Sequence, residues 1–151
     1  MSNHDLIFLN YLANVFDNLD DSIMLLSITD DAMTPLLVNE GFYRNSGRQK
    51  GSMQDLIDDI SKSDTIPEYV RLCYDAMDQK QMVEEDLLAH MPIGERHMRT
   101  RAIPVLNSLA QVTHMVVIAR DITESVLKDA RIAELEDELK KHQKTKAKKS
   151  S

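Results

Sequence analysis

The sequence has little of two residue types on which several protein classes depend. Its single cysteine, Cys73, excludes an internal disulfide framework. Its four glycines are too few for a glycine-rich phosphate-binding loop. Rossmann and P-loop enzymes are therefore excluded.

Long apolar runs are also missing. No run approaches the roughly 20 residues that cross a bilayer, and the first ten residues lack the basic start of a signal peptide. We therefore expect a cytoplasmic protein without a membrane span. The 151 residues, 42% hydrophobic and 28% charged, suffice for one domain with a real core.

Positive charge is scarce except near the C-terminus. Residues 140–151 hold six lysines and no acid, which leaves 12 basic and 25 acidic residues, a net charge of −13, in residues 1–139. An acidic body repels phosphate backbones, so we expect no specific nucleic-acid binding by the folded part. Residues 143–151 are predicted to form a basic disordered tail.

Hydrophobic spacing predicts a helix and a hairpin at the start of the chain. Residues 5–19 carry the apolar stripe of an amphipathic helix. The apolar runs 23–29 and 35–38 predict two antiparallel strands. Asn39 is expected to cap a short helix that Gly47 ends in a left-handed conformation.

Two capping boxes predict further helices in the middle of the chain, one from Ser52 with Asp55 and one from Thr65 with Glu68. From residue 81 the apolar period falls from about 3.6 to 2, which predicts three strands. These strands lie near residues 82–91, 96–106 and 112–121. The element order predicts an α+β fold whose antiparallel sheet has helices on one face.

The first of the late hairpins allows a register prediction. A turn centred between Ile93 and Gly94 would pair residues across it on two faces. The expected pairs are Leu87 with Thr100, Ala89 with Met98, Asp86 with Arg101, and His90 with His97. The acid and arginine would form an exposed ion pair, and the facing histidines would respond to pH near ~6.5.

Two segments resemble the PAS domain, a sensory module of signalling proteins, and the match covers about residues 10–125. Val38-Asn39 with its short helix is similar to the family's helix after the second strand, and residues 117–124 are similar to its last strand and Asp-Ile-Thr ending. The resemblance implies a five-stranded antiparallel sheet cradling helices. It also implies a non-enzymatic sensory or regulatory module that homodimerises and signals through flanking helices.

The resemblance divides the chain into four parts. These are an N-terminal amphipathic helix (1–21), the PAS domain (22–122), a C-terminal coiled-coil-like signalling helix (123–142) and the tail (143–151). The residues expected to transmit the signal are Asp121, Ile122 and Thr123. No output domain is recognised after residue 125, so we expect any signalling partner, such as a kinase or another regulator, to be reached in trans.

The sequence offers few residues that could bind a cofactor or carry out catalysis. A flavin-photoreceptor PAS needs a reactive cysteine in the stretch that reads Asn45–Lys50 here, and Cys73 is instead expected to be a small buried hydrophobe. A haem PAS commonly takes its axial histidine from the long helix, yet residues 53–80 contain none. No catalytic triad or metal-ligand set is found. We predict no cofactor, no metal and no enzymatic activity.

A pocket in this fold is predicted to have almost uncharged walls. Its expected lining is Ile57, Val70, Cys73, Met77, Leu87, Met98 and Thr100. Such walls suit a small apolar ligand and disfavour a dicarboxylate, because no inward Arg or Lys is expected. Alternatives are that these residues only fill the core of a ligand-free protein-interaction adaptor, or that the protein is a haem-based sensor.

The C-terminal helix carries a short dimerisation seam. Ile132, Leu135 and Leu139 follow a, d, a spacing, which predicts a parallel helix pair in a homodimer. The seam is under two heptads long, so the helix should not dimerise alone. The alternative is a single amphipathic helix folded back on the sheet.

Overall fold

The structure, a computed structural model, describes residues 3–30, 32–61 and 68–149. Its elements are α1 (Asn3–Asp17), β1 (Ser22–Thr29), β2 (Ala32–Val38), α2 (Glu40–Ser46), α3 (Met53–Ser61), α4 (Glu68–Gln79), β3 (Val83–Met91), β4 (Gly94–Leu106), β5 (Val112–Asp121) and α5 (Thr123–Lys149). The chain divides into two compact units, Met1–Asp121 and Ile122–Ser151.

The five strands form one antiparallel sheet in the order β2-β1-β5-β4-β3. The predicted α+β class and five-stranded sheet are confirmed. Strands β1 and β5 lie inside the sheet, where alternate side chains such as Met24 and Met115 point to the core. On that face they pack with α4, whose Leu72, Cys73 and Ala76 are fully buried.

The predicted signals around α2 and α3 are confirmed. The Asn39 side chain accepts a hydrogen bond from the Phe42 amide at the start of α2. Gly47 ends the helix in the left-handed conformation, with φ 73°. Ser52 and Asp55 exchange the two hydrogen bonds of a capping box, at 3.1 and 3.2 Å. The second predicted box falls partly outside the described residues, because Thr65 is not among them.

The predicted register of the β3–β4 hairpin is wrong by two residues. Met91 pairs with Gly94, so Pro92 and Ile93 form the turn. Proline lacks the amide hydrogen that a strand ladder requires, and its fixed φ favours the second position of a turn. The pairs are Leu87 with Met98, Ala89 with Arg96, Asp86 with Arg99, and His90 with Glu95.

This register removes the predicted histidine pair. Nδ1 of His90 lies 3.4 Å from a carboxylate oxygen of Glu95, while His97 stands opposite Leu88. A pH response from two facing imidazoles is therefore not available in this hairpin. The shift is by an even number of residues, so each residue keeps the sheet face that its spacing predicted.

The second unit is α5, which the structure extends to Lys149, beyond the predicted end at residue 142. Lysine, alanine and glutamine are good helix formers, and Lys141 pairs with Asp137 at 3.2 Å in the i,i+4 arrangement. Over the described residues, no helix has the length and apolar content needed to cross a membrane.

Candidate functional site

A cavity of about 160 Å³ opens between the sheet and the helices α2 and α4. Its walls come from the inner face of four strands, from the end of α2 and from the start of α4. The lining residues are Ser22, Met24, Phe42, Ser46, Arg48, Glu68, Tyr69, Leu87, Ala89, His90, Met91, Met98, Thr100, Val117 and Ala119. Most of the wall is apolar, so it suits a small apolar body.

The structure brings three of the seven predicted lining residues together here, namely Leu87, Met98 and Thr100. Cys73 lies in the core cluster and Met77 packs against it. Ile57 on α3 and Val70 on α4 are half-buried and do not line the cavity. The three that line it lie on strands, where the period of two assigns a face.

The expected absence of charge from the pocket is wrong. Arg48, Glu68 and His90 all line the cavity. Arg48 directly follows Gly47, the residue whose left-handed conformation ends α2, and from there it lines the cavity. Only tertiary contact shows this, because Arg48 lies in a loop without hydrophobic period.

Four of the lining residues carry hydroxyl groups, namely Ser22, Ser46, Tyr69 and Thr100. Burial raises the pKa of Tyr69 to about 12, and the charge of Arg48 acts in the opposite direction, which puts the guanidinium near the phenol. The buried Thr100 hydroxyl donates to the Met98 carbonyl at 3.3 Å. Because its pKa is raised, the Tyr69 phenol stays a neutral hydrogen-bond donor at neutral pH.

Asn39 joins β1 and α2, which contribute residues to the cavity wall, to the end of α1. Its side-chain oxygen accepts from Ile23 N at 2.9 Å and from Phe42 N at 3.0 Å. Its amide donates to the carbonyls of Phe16 at 2.9 Å and Asp21 at 2.8 Å. The residue is 1% exposed, so α1, β1 and α2 meet at one fully bonded, buried amide.

The cavity chemistry does not fit a flavin thiol adduct or haem. Cys73 is fully buried in the core outside the cavity, and burial raises its pKa to about 12. A cavity of about 150 Å³ in another protein holds benzene, so 160 Å³ matches one small ring rather than a flavin or porphyrin. In the described part of the chain no three His, Cys, Asp or Glu side chains converge as metal ligands.

The predicted signalling and dimer residues lie at the end of the sheet and along α5. Asp121 ends β5, Ile122 follows it, and Thr123 begins α5. Ile132, Leu135 and Leu139 are all exposed on α5. A further exposed stripe, which sequence reasoning did not separate from the packed face, runs along α1 and continues just past its end. It consists of Ile7, Tyr11, Val15 and Leu19.

Solved structures that resemble this chain include PAS and LOV domain structures. The chain is similar to an RNA-binding Light-Oxygen-Voltage receptor (17% identity, TM-score 0.61, 91% of this chain) and spans 39% of that chain. It is also similar to the Rhodobacter sphaeroides LOV protein, with 14% identity and a TM-score of 0.59 over 78% of this chain and 68% of that chain. A third similar structure is the PAS domain from the fruit-fly ELK potassium channel, with 17% identity and a TM-score of 0.56 over 77% of this chain and 98% of that chain.

These identities are low, so the likeness shows the fold, and the predicted PAS fold is confirmed. No protein-family model matches the sequence, and no curated protein matches it.

Proposed function

We propose that this chain is a non-enzymatic sensory or regulatory module that binds one small, largely apolar molecule and acts as a homodimer. The observation that carries the proposal is the 160 Å³ cavity, whose apolar wall opens to solvent between the sheet and α4. A cavity that only completed the core would be filled by side chains, since protein interiors are close-packed.

The route from cavity to output follows β5. Val117 and Ala119 line the cavity, and the same strand ends at Asp121, directly before α5. A ligand that shifts β5 would therefore act on Asp121, Ile122 and Thr123, where the chain passes into the helix. A signalling partner reached through α5 is part of this proposal.

Native mass spectrometry and absorbance of freshly purified protein test the ligand. The expected result is a dimer that carries a small adduct and has no visible absorption band. A Soret or flavin spectrum would overturn the proposed ligand class. A mass equal to the bare chain, with no shift on adding small ring compounds, would favour the alternative of a ligand-free interaction adaptor.

The exposed apolar stripe on and just after α1 supports dimerisation. Val15 is 56% exposed and Tyr11 70% exposed, which in water is unfavourable for a helix face unless another surface covers it. We expect Val15→Asp to weaken the dimer in sedimentation. Asn10→Asp adds the same charge at an exposed polar position and should leave the dimer intact. Equal dimer affinity in both variants would move the interface away from α1.

A further inference from the structure

Arg48 stands out among the arginines. Six of the eight arginines lie 3.8 Å or less from a carboxylate oxygen. Over the residues that the structure describes, Arg48 and Arg96 have no such partner, and Arg48 alone of the two lines the cavity. Arg48 is half-buried, and an arginine that loses part of its water without gaining a carboxylate partner is unfavourable.

We infer that the cavity selects a molecule with one carboxylate, which Arg48 binds, on a body the size of a single ring. This inference rests on the proposed ligand-binding function and names its ligand class. Arginine presents paired N–H donors that match a carboxylate bidentately. Tyr69 lines the same cavity and lies near enough to Arg48 for that charge to oppose the rise that burial causes in its pKa, and its neutral phenol is a further hydrogen-bond donor for the ligand.

The remaining walls set the size and charge of the rest of the ligand. The volume of 160 Å³ is close to that of a cavity that holds benzene, and the sheet side offers Met24, Leu87 and Met98. Glu68 also lines the cavity and is exposed at the start of α4. Its carboxylate would repel a second anionic group, so we expect a monocarboxylate rather than a dicarboxylate.

Three ring compounds test this selectivity on the full chain. Benzoate, benzyl alcohol and phthalate share one ring and differ in carboxylate count. Titrations followed by amide NMR should show benzoate shifting the resonances of Leu87, Met98 and Val117. We expect benzoate to bind about tenfold more tightly than benzyl alcohol or phthalate, as one charge-assisted pair allows.

Variants of Arg48 separate the charge from the cavity. Arg48→Gln should lower benzoate affinity about tenfold, to that of benzyl alcohol, while Arg48→Lys keeps part of the preference. Arg96→Gln is the matched control, because Arg96 is also half-buried and without a carboxylate among the described residues but lies outside the cavity. Its affinities should match the wild type, and melting temperatures verify that each variant is folded.

The outcomes distinguish this inference from the proposed function. Equal binding of benzoate and benzyl alcohol, or unchanged benzoate affinity in Arg48→Gln, would overturn the role of Arg48 and leave a ligand-binding cavity. Tighter binding of phthalate would overturn the monocarboxylate class. If none of the three compounds shifts the cavity resonances, the proposed ligand binding fails together with the inference.

Discussion

The Asn39 side chain connects more elements of the fold than its position at the start of a short helix suggests. One of its side-chain bonds is local, accepted from the amide of Phe42 in α2. The other three are long-range, one accepted from the amide of Ile23 and two donated to the carbonyls of Phe16 and Asp21. Because all four bonds are buried or half-buried, losing the side chain leaves several backbone groups without partners.

We therefore expect Asn39→Ala to lower the free energy of unfolding by about 3 kcal/mol, measured by urea denaturation. Asn18→Ala is the control, since the Asn18 side chain makes one exposed bond to the Asn14 carbonyl. That variant should lose less than about 1 kcal/mol. A similar small loss in both variants would show that the Asn39 bonds are replaced by water.

The raised pKa values of Cys73 and Tyr69 predict that the protein is less stable at alkaline pH. Burial raises the pKa of Cys73 from 9.0 to about 12 and that of Tyr69 from 10.0 to about 12. Above pH 9 the unfolded chain loses these protons before the folded one does, so the folded state binds more protons and unfolding becomes easier as pH rises.

Stability measured from pH 8 to 11 tests this prediction. Each such group lowers the free energy of unfolding by up to about 1.4 kcal/mol per pH unit in its window. Cys73→Ala removes one group, so its stability should fall less steeply above pH 9 than that of the wild type. Parallel curves would mean that the Cys73 thiol titrates normally in the folded state.

At the scale of elements, α5 carries four large apolar residues that are exposed, namely Leu127, Ile132, Leu135 and Leu139. Leu135 is 46% exposed and Leu139 57% exposed, on a helix with few other large apolar side chains. Knobs from a second helix are the simplest cover for such a short seam.

The double change Leu135→Asp and Leu139→Asp should weaken the proposed homodimer without lowering the melting temperature of the sheet domain. The control Ala130→Asp and Ala133→Asp adds the same charge at exposed positions off the seam. Sedimentation of both variants distinguishes the loss of the leucine contacts from the effect of the added charge. An unchanged dimer in the leucine variant would place the interface on α1 or the sheet.

At the scale of the whole molecule, the core belongs to the first unit. Every buried residue of the core cluster lies before residue 121, from Met24 to Val117. A chain that ends at Ser125 should thus fold and melt within about 4 °C of the full chain, which corresponds to about 1 kcal/mol. Circular dichroism melting measures this, and a larger fall would mean that α5 stabilises the sheet domain.

The sequence by itself determined the element order, the strand faces and the local caps. Apolar period, the Asn39 cap and the Gly47 stop are local, so their physical causes are visible in short windows. It also placed Leu87, Met98 and Thr100 on the inward face, because a period of two fixes the face of a strand whatever its partner.

Tertiary structure decided the hairpin register, the position of Cys73 outside the cavity and the presence of charged residues in the cavity wall. A turn shifted by one residue changes every cross-strand partner, and only the packed hairpin shows that His90 faces Glu95. Arg48 lies in a loop with no period, and its neighbour in the cavity, Tyr69, is remote in sequence. Long-range proximity of this kind depends on how the helices pack on the sheet, which no local pattern encodes.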